Sequence, residues 1–321
     1  MKLERLGDIT SELSSNLVKS IFLPGGLLEW LSKPLAGLRE RSKAGAKPGE
    51  AVEAVTARPA VALGPTVLLG GIPVPDEAIV AILHLAGGRT ARVAVVPVAA
   101  MEQDRAAAAE EVVRLFTRFG MRKVEVLELS TREQADNPEL VTKLAASDAV
   151  VLCGASAATG LQVLRDTACA RVLKELQAAG KPVAGLNGGA KILADRLITL
   201  QNGVLTVAEG IGLVPGLLIE TDFTQEARFG RVVKALNESA AGLMGMGLDA
   251  GSAAVIRDGE SKVLGDTTVT FLDPRESTPG NDPGSCCGLK VHVLMDGFIM
   301  NLRSRKPSGP PKEPAQAAGD R

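Results

Sequence analysis

Lys181-Pro182-Val183-Ala184-Gly185-Leu186-Asn187-Gly188-Gly189-Ala190 passes from a short apolar run into a glycine-rich turn. The run over 182–186 is too short for a helix and carries no polar alternation, which fits a strand buried on both faces. It follows an amphipathic stretch over 170–179 that closes on Gly180, where a left-handed helix cap favours glycine. Outward from this unit the same alternation recurs. Strands are expected over 66–69, 92–96, 123–127 and 149–152, and helices over 75–85, 102–119 and 138–146, with Gly120 closing the second of these. Short β-branched runs alternating with longer amphipathic segments predict an α/β fold: a mostly parallel sheet with helices on both faces. Beyond about residue 200 the pattern shortens to strands and turns, ending in a hairpin-like edge over 290–294 and 296–302.

The bulk numbers exclude several functions. With 321 residues, 45% hydrophobic and 23% charged, the chain has the composition of a folded globular protein. A net charge of -1 and 2% aromatic residues offer neither a field nor stacking platforms for nucleic acid, which is not expected as a partner. Four cysteines, two of them the adjacent Cys286 and Cys287, form neither a disulfide framework nor a zinc pattern. No metal or cofactor is expected, and a reducing cytoplasm suits the thiols. Asp8 and Glu12 interrupt the first apolar residues before a secretory core forms, and no apolar run approaches the roughly 20 residues of a membrane span.

Three regions follow from composition. Residues 1–60 are expected to be a helical extension and linker, 61–305 the α/β domain, and 306–321 a disordered tail rich in Pro, Gly and Ala. In the extension, Leu13, Leu17 and Ile21, then Leu27, Leu28, Trp30, Leu31, Leu35 and Leu38, have helical spacing on either side of a Pro-Gly-Gly break at 24–26. With Lys19, Lys33, Arg39 and Arg41 nearby, residues 1–40 could lie on a membrane surface or grip a partner. Packing on the protein's own domain or on another subunit stands equally.

Ligand sites of open α/β sheets lie beyond the carboxyl ends of the strands. Read in order, those ends carry Leu68-Leu69-Gly70-Gly71, then Ala86-Gly87-Gly88-Arg89 leading to Val93-Ala94-Val95-Val96-Pro97, then Val151-Leu152-Cys153-Gly154-Ala155-Ser156 with Leu164-Arg165-Asp166-Thr167. The opening stretch follows, and after it come Glu220-Thr221-Asp222-Phe223, Arg228-Phe229-Gly230-Arg231 and Gly245-Met246-Gly247-Leu248-Asp249. This ordered series, over residues 66 to 305, resembles the cyanophycinase and dipeptidase E family of serine peptidases. The resemblance implies a class I glutamine-amidotransferase-like (flavodoxin-like) three-layer sandwich and often a homodimer. It also implies hydrolysis of β-Asp-Arg bonds in cyanophycin, or of aspartyl dipeptides, through an acyl-enzyme.

The same resemblance places the family's nucleophile on Gly188, its histidine on Asp222 and the acidic pair that would orient that histidine on Asp249-Ala250, with Ala250 a degenerate position. The positions implied for ligand binding are Gly70, Gly71, Gly154, Ser156, Asn187, Gly189 and Arg228. A nucleophile elbow sets serine on a strained strand-to-helix turn, and neither glycine nor an aspartate with a pKa of about 4 can replace the pair. The protein is therefore expected to be a catalytically inactive homologue that binds a peptide or cyanophycin-like ligand, or a partner such as a further copy or an active relative. Alternatives are a working hydrolase with its chemistry relocated to Cys153 or to the carboxylates Asp222, Glu220, Glu226 and Asp249, and a purely structural oligomer subunit.

Overall fold

The computed structural model describes residues 21, 26–33, 64–201, 204–239 and 242–310. The strands are β1 (Thr66–Leu69), β2 (Val93–Val96), β3 (Val124–Val126), β4 (Ala149–Leu152), β5 (Val183–Leu186), β6 (Ala194–Gln201), β7 (Val204–Glu209), β8 (Val214–Thr221) and β9 (Met244–Leu248). They continue as β10 (Ser252–Arg257), β11 (Glu260–Gly265), β12 (Val269–Asp273), β13 (Thr278–Pro279), β14 (Cys286–Cys287), β15 (Lys290–Leu294), β16 (Ile299–Asn301) and β17 (Lys306–Ser308).

One sheet has nine strands in the order β17-β16-β11-β10-β1-β5-β4-β2-β3. Its half from β1 to β3 is parallel, and β10, β11, β16 and β17 extend it antiparallel. Successive residues of a strand face opposite sides, so a fully buried strand feeds two cores. Val67 and Leu69 join Val93, Val95 and Val151 beneath the helices Asp76–Ala86 and Arg105–Arg118, where Phe116 is fully buried. Leu68, Val96 and Leu152 face the other way, toward the helices Ala157–Leu164 and Ala168–Ala178 and toward Leu197, Ile219 and Met246.

Those last three residues belong to a second, six-stranded sheet, β15-β12-β9-β8-β6-β7. Its outer face is covered by the helix Phe229–Glu238 through Val232, Val233 and Leu236. A parallel sheet with helices on both faces is thus present as expected, and the second sheet shares the layer of helices 157–178.

Two expectations are corrected. The segments over 290–294 and 296–302 do not pair: β15 joins β12 in the six-stranded sheet, while β16 joins β11 and β17 in the other. The expected disordered tail starts too early, because Lys306–Ser308 pair with Ile299–Asn301 as the last strand of the large sheet. Residues 311–321, the linker over 39–59 and most of the extension lie outside the described residues.

Besides Ile21, Gly26 and Lys33, the described part of the extension is the helix Leu27–Ser32. Leu27, Leu28, Trp30 and Leu31 are buried in the core under the parallel strands. Trp30 Nε1 donates to Glu260 Oε2 at 3.1 Å, and Arg257 stacks on the Trp30 ring while its guanidinium donates to the carbonyls of Leu31 and Lys33. For these residues, packing on the protein's own domain replaces a membrane or partner face. No helix among the described residues is long and apolar enough to cross a membrane.

Candidate functional site

Five segments meet beyond the carboxyl ends of the parallel strands and enclose a crevice of about 750 Å³. After β1 come Gly71 and Ile72, after β2 Ala100 and Met101, and after β4 the run from Cys153 to Ser156. Leu186 and Asn187 close β5, and Asp222 follows β8.

The turn after β5 holds a side-chain-bearing residue at positive φ. Asn187 has φ 54° and ψ −119°, and the helix Gly188–Ile192 starts at the next residue. A side-chain-bearing residue in that region is strained and persists because its surroundings fix it. Asn187 N donates to Leu69 O at 3.0 Å, and Asn187 O accepts from Ala190 N at 2.9 Å and Lys191 N at 3.3 Å. The elbow position is therefore Asn187, and the placement of the nucleophile position on Gly188 is corrected by one residue. Gly188 is the first helical residue, and a Cβ there would stand 2.7 Å from Gly154 O.

Asn187 also carries the polar contacts of this corner. Its Oδ1 accepts from Thr221 Oγ1 at 3.0 Å, and Asp222 lines the same crevice beside it. Burial pushes the Asp222 carboxyl above its ordinary range, opposed mainly by the charge of Arg228. Asp222 itself sits at φ 48°, with Oδ1 3.1 Å from where a Cβ on Gly71 would lie, and Ala250 packs beside the same spot.

The remaining expected residues divide. Gly71, Gly154, Ser156 and Asn187 line the crevice. Ser156 Oγ lies 2.8 Å from Thr159 Oγ1 and accepts from Thr159 N, so it caps the helix Ala157–Leu164. Gly70 and Gly189 are not in the crevice wall: a Cβ on either would stand 2.1 Å from the carbonyl oxygen of Asp249 or Leu152 respectively, so both permit close backbone packing.

Arg228 is drawn away from the crevice. Its guanidinium donates to Glu220 Oε1 at 2.9 Å, to Thr221 O at 2.8 Å and to Glu226. Lys191 Nζ meets the same Glu220 oxygen at 2.7 Å, and Glu220 is fully buried. The carboxylates considered as a relocated site are likewise committed elsewhere. Asp249 accepts from Thr224 N and Thr268 Oγ1, both at 2.7 Å, which leaves Asp222 alone of the four facing the crevice. Among the described residues no group of three or more His, Cys, Asp or Glu is disposed to hold a metal ion.

Cys153 does line the crevice, but it is fully buried, and burial, with Glu111 nearby, pushes its thiol up to about 12. A thiol held there is protonated at neutral pH and is a poor nucleophile.

Strand ends alone do not reveal one wall of the crevice. Asp104, Ala107, Ala108 and Glu111 form a stripe at i, i+3, i+4 and i+7 at the start of the helix Arg105–Arg118, and all four line the crevice. The two alanines leave room between the acids. That spacing is visible in the sequence, but nothing in it distinguishes a helix that covers the sheet from one that also walls a site. With Asp222, the crevice presents three carboxylates and, among the described residues, no cationic side chain.

Comparison with known proteins gives this geometry a lineage. The protein is 29% identical over 236 residues to the cyanophycinase of a Nostoc species, a match that spans 68% of the present sequence and 78% of that one. It is 27% identical over 237 residues to the cyanophycinase of Synechococcus elongatus, spanning 69% and 73%. The fold is shared with the crystal structure of a peptidase from an acI-B1 actinobacterium, at a TM-score of 0.59 and 20% identity, spanning 75% of the present protein and 98% of that one. The model of peptidase family S51 matches residues 70–264, more than half of the sequence, and this protein belongs to that family.

Proposed function

We propose that this protein is a non-catalytic member of the cyanophycinase-like peptidases, whose crevice holds a basic peptide without cleaving it. The observation that carries the reading is the pair at the elbow, Asn187 with Asp222. Acyl transfer needs a nucleophile that a neighbouring base can deprotonate. An amide nitrogen is not such a group, and a carboxylate, even one raised by burial, is a weak base toward a hydroxyl. The buried Cys153 thiol, at about 12, supports the same reading.

The lining supports a ligand class. Asp104, Glu111 and Asp222 favour a guanidinium or ammonium group, and the half-exposed Ile72 and Met101 at the rim suit an aliphatic stem. With Arg228 bound to Glu220 and Glu226, no cation is left among the crevice residues to receive an aspartyl carboxylate.

The test offers the purified protein cyanophycin, aspartyl dipeptides and a short arginine-containing peptide. Product release is followed by mass spectrometry and binding by calorimetry. The expected result is no release above blank, with binding of the arginyl peptide that Glu111→Gln weakens about tenfold, the loss of one charged hydrogen bond. Sustained turnover that disappears in crevice variants would overturn the non-catalytic reading. Equal affinity for an acidic peptide would overturn the ligand class.

A further inference from the structure

The elbow carries a second chemistry that needs no ligand. Around the Cα–C bond, Cβ stands a third of a turn from the residue's own nitrogen. A ψ of −119° at Asn187 therefore eclipses its Cβ with the nitrogen of Gly188. In an ordinary helix or strand the two are rotated apart. Here the Asn187 side chain and the following amide lie on one side, as they do in a five-membered ring. Gly188 adds no Cβ to obstruct the approach, and its N–H donates to no backbone acceptor among the described residues. The backbone bonds from Asn187 to Leu69, Ala190 and Lys191 hold this conformation.

The surroundings supply the other requirements. Thr221 Oγ1 donates to Asn187 Oδ1 at 3.0 Å, which polarises the amide carbonyl. The Asp222 carboxylate lines the same crevice as this side chain, and burial makes it more basic than an exposed one. The crevice of about 750 Å³ beside both of them is large enough to hold water.

We propose that Asn187-Gly188 is a self-modification site, at which the protein forms a succinimide and hydrolyses it to aspartate or isoaspartate. In a slow step, on the scale of days that a weak base permits and far too slow for turnover, Gly188 N forms a bond to Asn187 Cγ as its proton passes to Asp222. The oxyanion on Oδ1 is held by the Thr221 hydroxyl. The Cγ–Nδ2 bond then breaks, Nδ2 takes the proton back from Asp222, and ammonia leaves. Water adds to one imide carbonyl. Cleavage of the bond between Cγ and the ring nitrogen gives Asp at 187, and cleavage of the bond between that nitrogen and the backbone carbonyl carbon gives isoaspartate. Nothing is oxidised or reduced, and the wall that holds Asp222 gains a negative charge.

The test compares the folded protein with a synthetic peptide of residues 183–191, held for days in the same mildly alkaline buffer. Trypsin then releases the peptide ending at Lys191, in which conversion appears as a gain of a single dalton and isoaspartate as a separately eluting species. Asn202-Gly203, the same dipeptide elsewhere in the sequence, serves as an internal reference. The expected result is conversion at Asn187 roughly tenfold or more faster in the folded protein than in the peptide, as positioning of reacting groups requires. Thr221→Val and Asp222→Asn, checked for folding by thermal melting, each slow it. Conversion in the folded protein that is equal to or slower than in the peptide would overturn the proposal.

Discussion

At Asn187 the strained backbone of a nucleophile elbow is retained while the side chain is an amide. Position along the turn decides what a substitution there can do. Serine at 188 would begin with a Cβ 2.7 Å from Gly154 O and 2.8 Å from the Ala155 carbonyl, both backbone atoms that cannot rotate away. Gly188→Ser is expected to destabilise the protein by about 1–3 kcal/mol through overpacking and to leave it unreactive toward a serine-directed phosphonate probe. Asn187→Ser keeps the fold and presents its hydroxyl at the crevice, but Asp222 is a poor base for it. The single variant should therefore stay unlabelled, and Asn187→Ser with Asp222→His should take up label. Labelling of Gly188→Ser instead would place the elbow one residue later than the geometry does.

At the scale of elements, the five parallel strands and the helices between them are legible because each is a short apolar run or an amphipathic stretch with a clear stop. Gly87, Gly120 and Gly180, all at positive φ, follow three of the helices. The second sheet is not legible as a sheet. Its strands β8, β9 and β12 are largely buried like the parallel ones, so periodicity alone does not say which sheet they join. The antiparallel extension of the large sheet does carry a local signal: Asp258-Gly259, at φ 53° and 79°, forms a two-residue hairpin loop between β10 and β11. The site is legible at the strand ends and not in its helical wall. The one-residue error at the elbow arises because a glycine also tolerates positive φ, and sequence does not show which residue takes it.

The helix Leu27–Ser32 admits two readings in sequence, since an apolar stripe with basic flanks suits lipid and core alike. Its packing makes a stability prediction. Trp30 is 4% exposed, stacks on Arg257 and donates to Glu260. Trp30→Ala should cost about 3–5 kcal/mol of unfolding free energy, as for other large buried side chains, in a denaturant titration followed by far-ultraviolet dichroism. A loss below about 1 kcal/mol, the level of an exposed site, would show that this helix is not docked in solution.

Across the whole molecule, the two sheets are joined by an ionic clamp as well as by their shared core. Asp273, at the end of β12 in the six-stranded sheet, is 2% exposed and accepts from Arg305 Nη1 at 2.6 Å and from Arg275. Arg305 lies between β16 and β17 of the large sheet, and its guanidinium also donates to the carbonyls of Gly242 and Leu243. Burial alone would raise the Asp273 carboxyl, but the hydrogen bonds from Arg275 and Arg305 override it and hold it at about 2. Its unfolded value is about 4, so the clamp's contribution is fully present above that pH and is lost as pH falls toward its folded value. Asp222 works with the opposite sign, because burial raises its carboxyl and protonation relieves a cost instead of breaking a bond. Melting temperature measured across the acid range should therefore fall for the native protein between about pH 4 and pH 2. Asp273→Asn should melt lower at neutral pH, since it leaves the Arg305 guanidinium without a buried counter-charge, by about 3–5 kcal/mol of stability. It should also show a shallower acid limb, because the titrating group has gone. Asp222→Asn should leave that limb unchanged. An acid limb equally steep in Asp273→Asn and in the native protein would mean that other carboxylates, not the clamp between the sheets, set the acid stability of the fold.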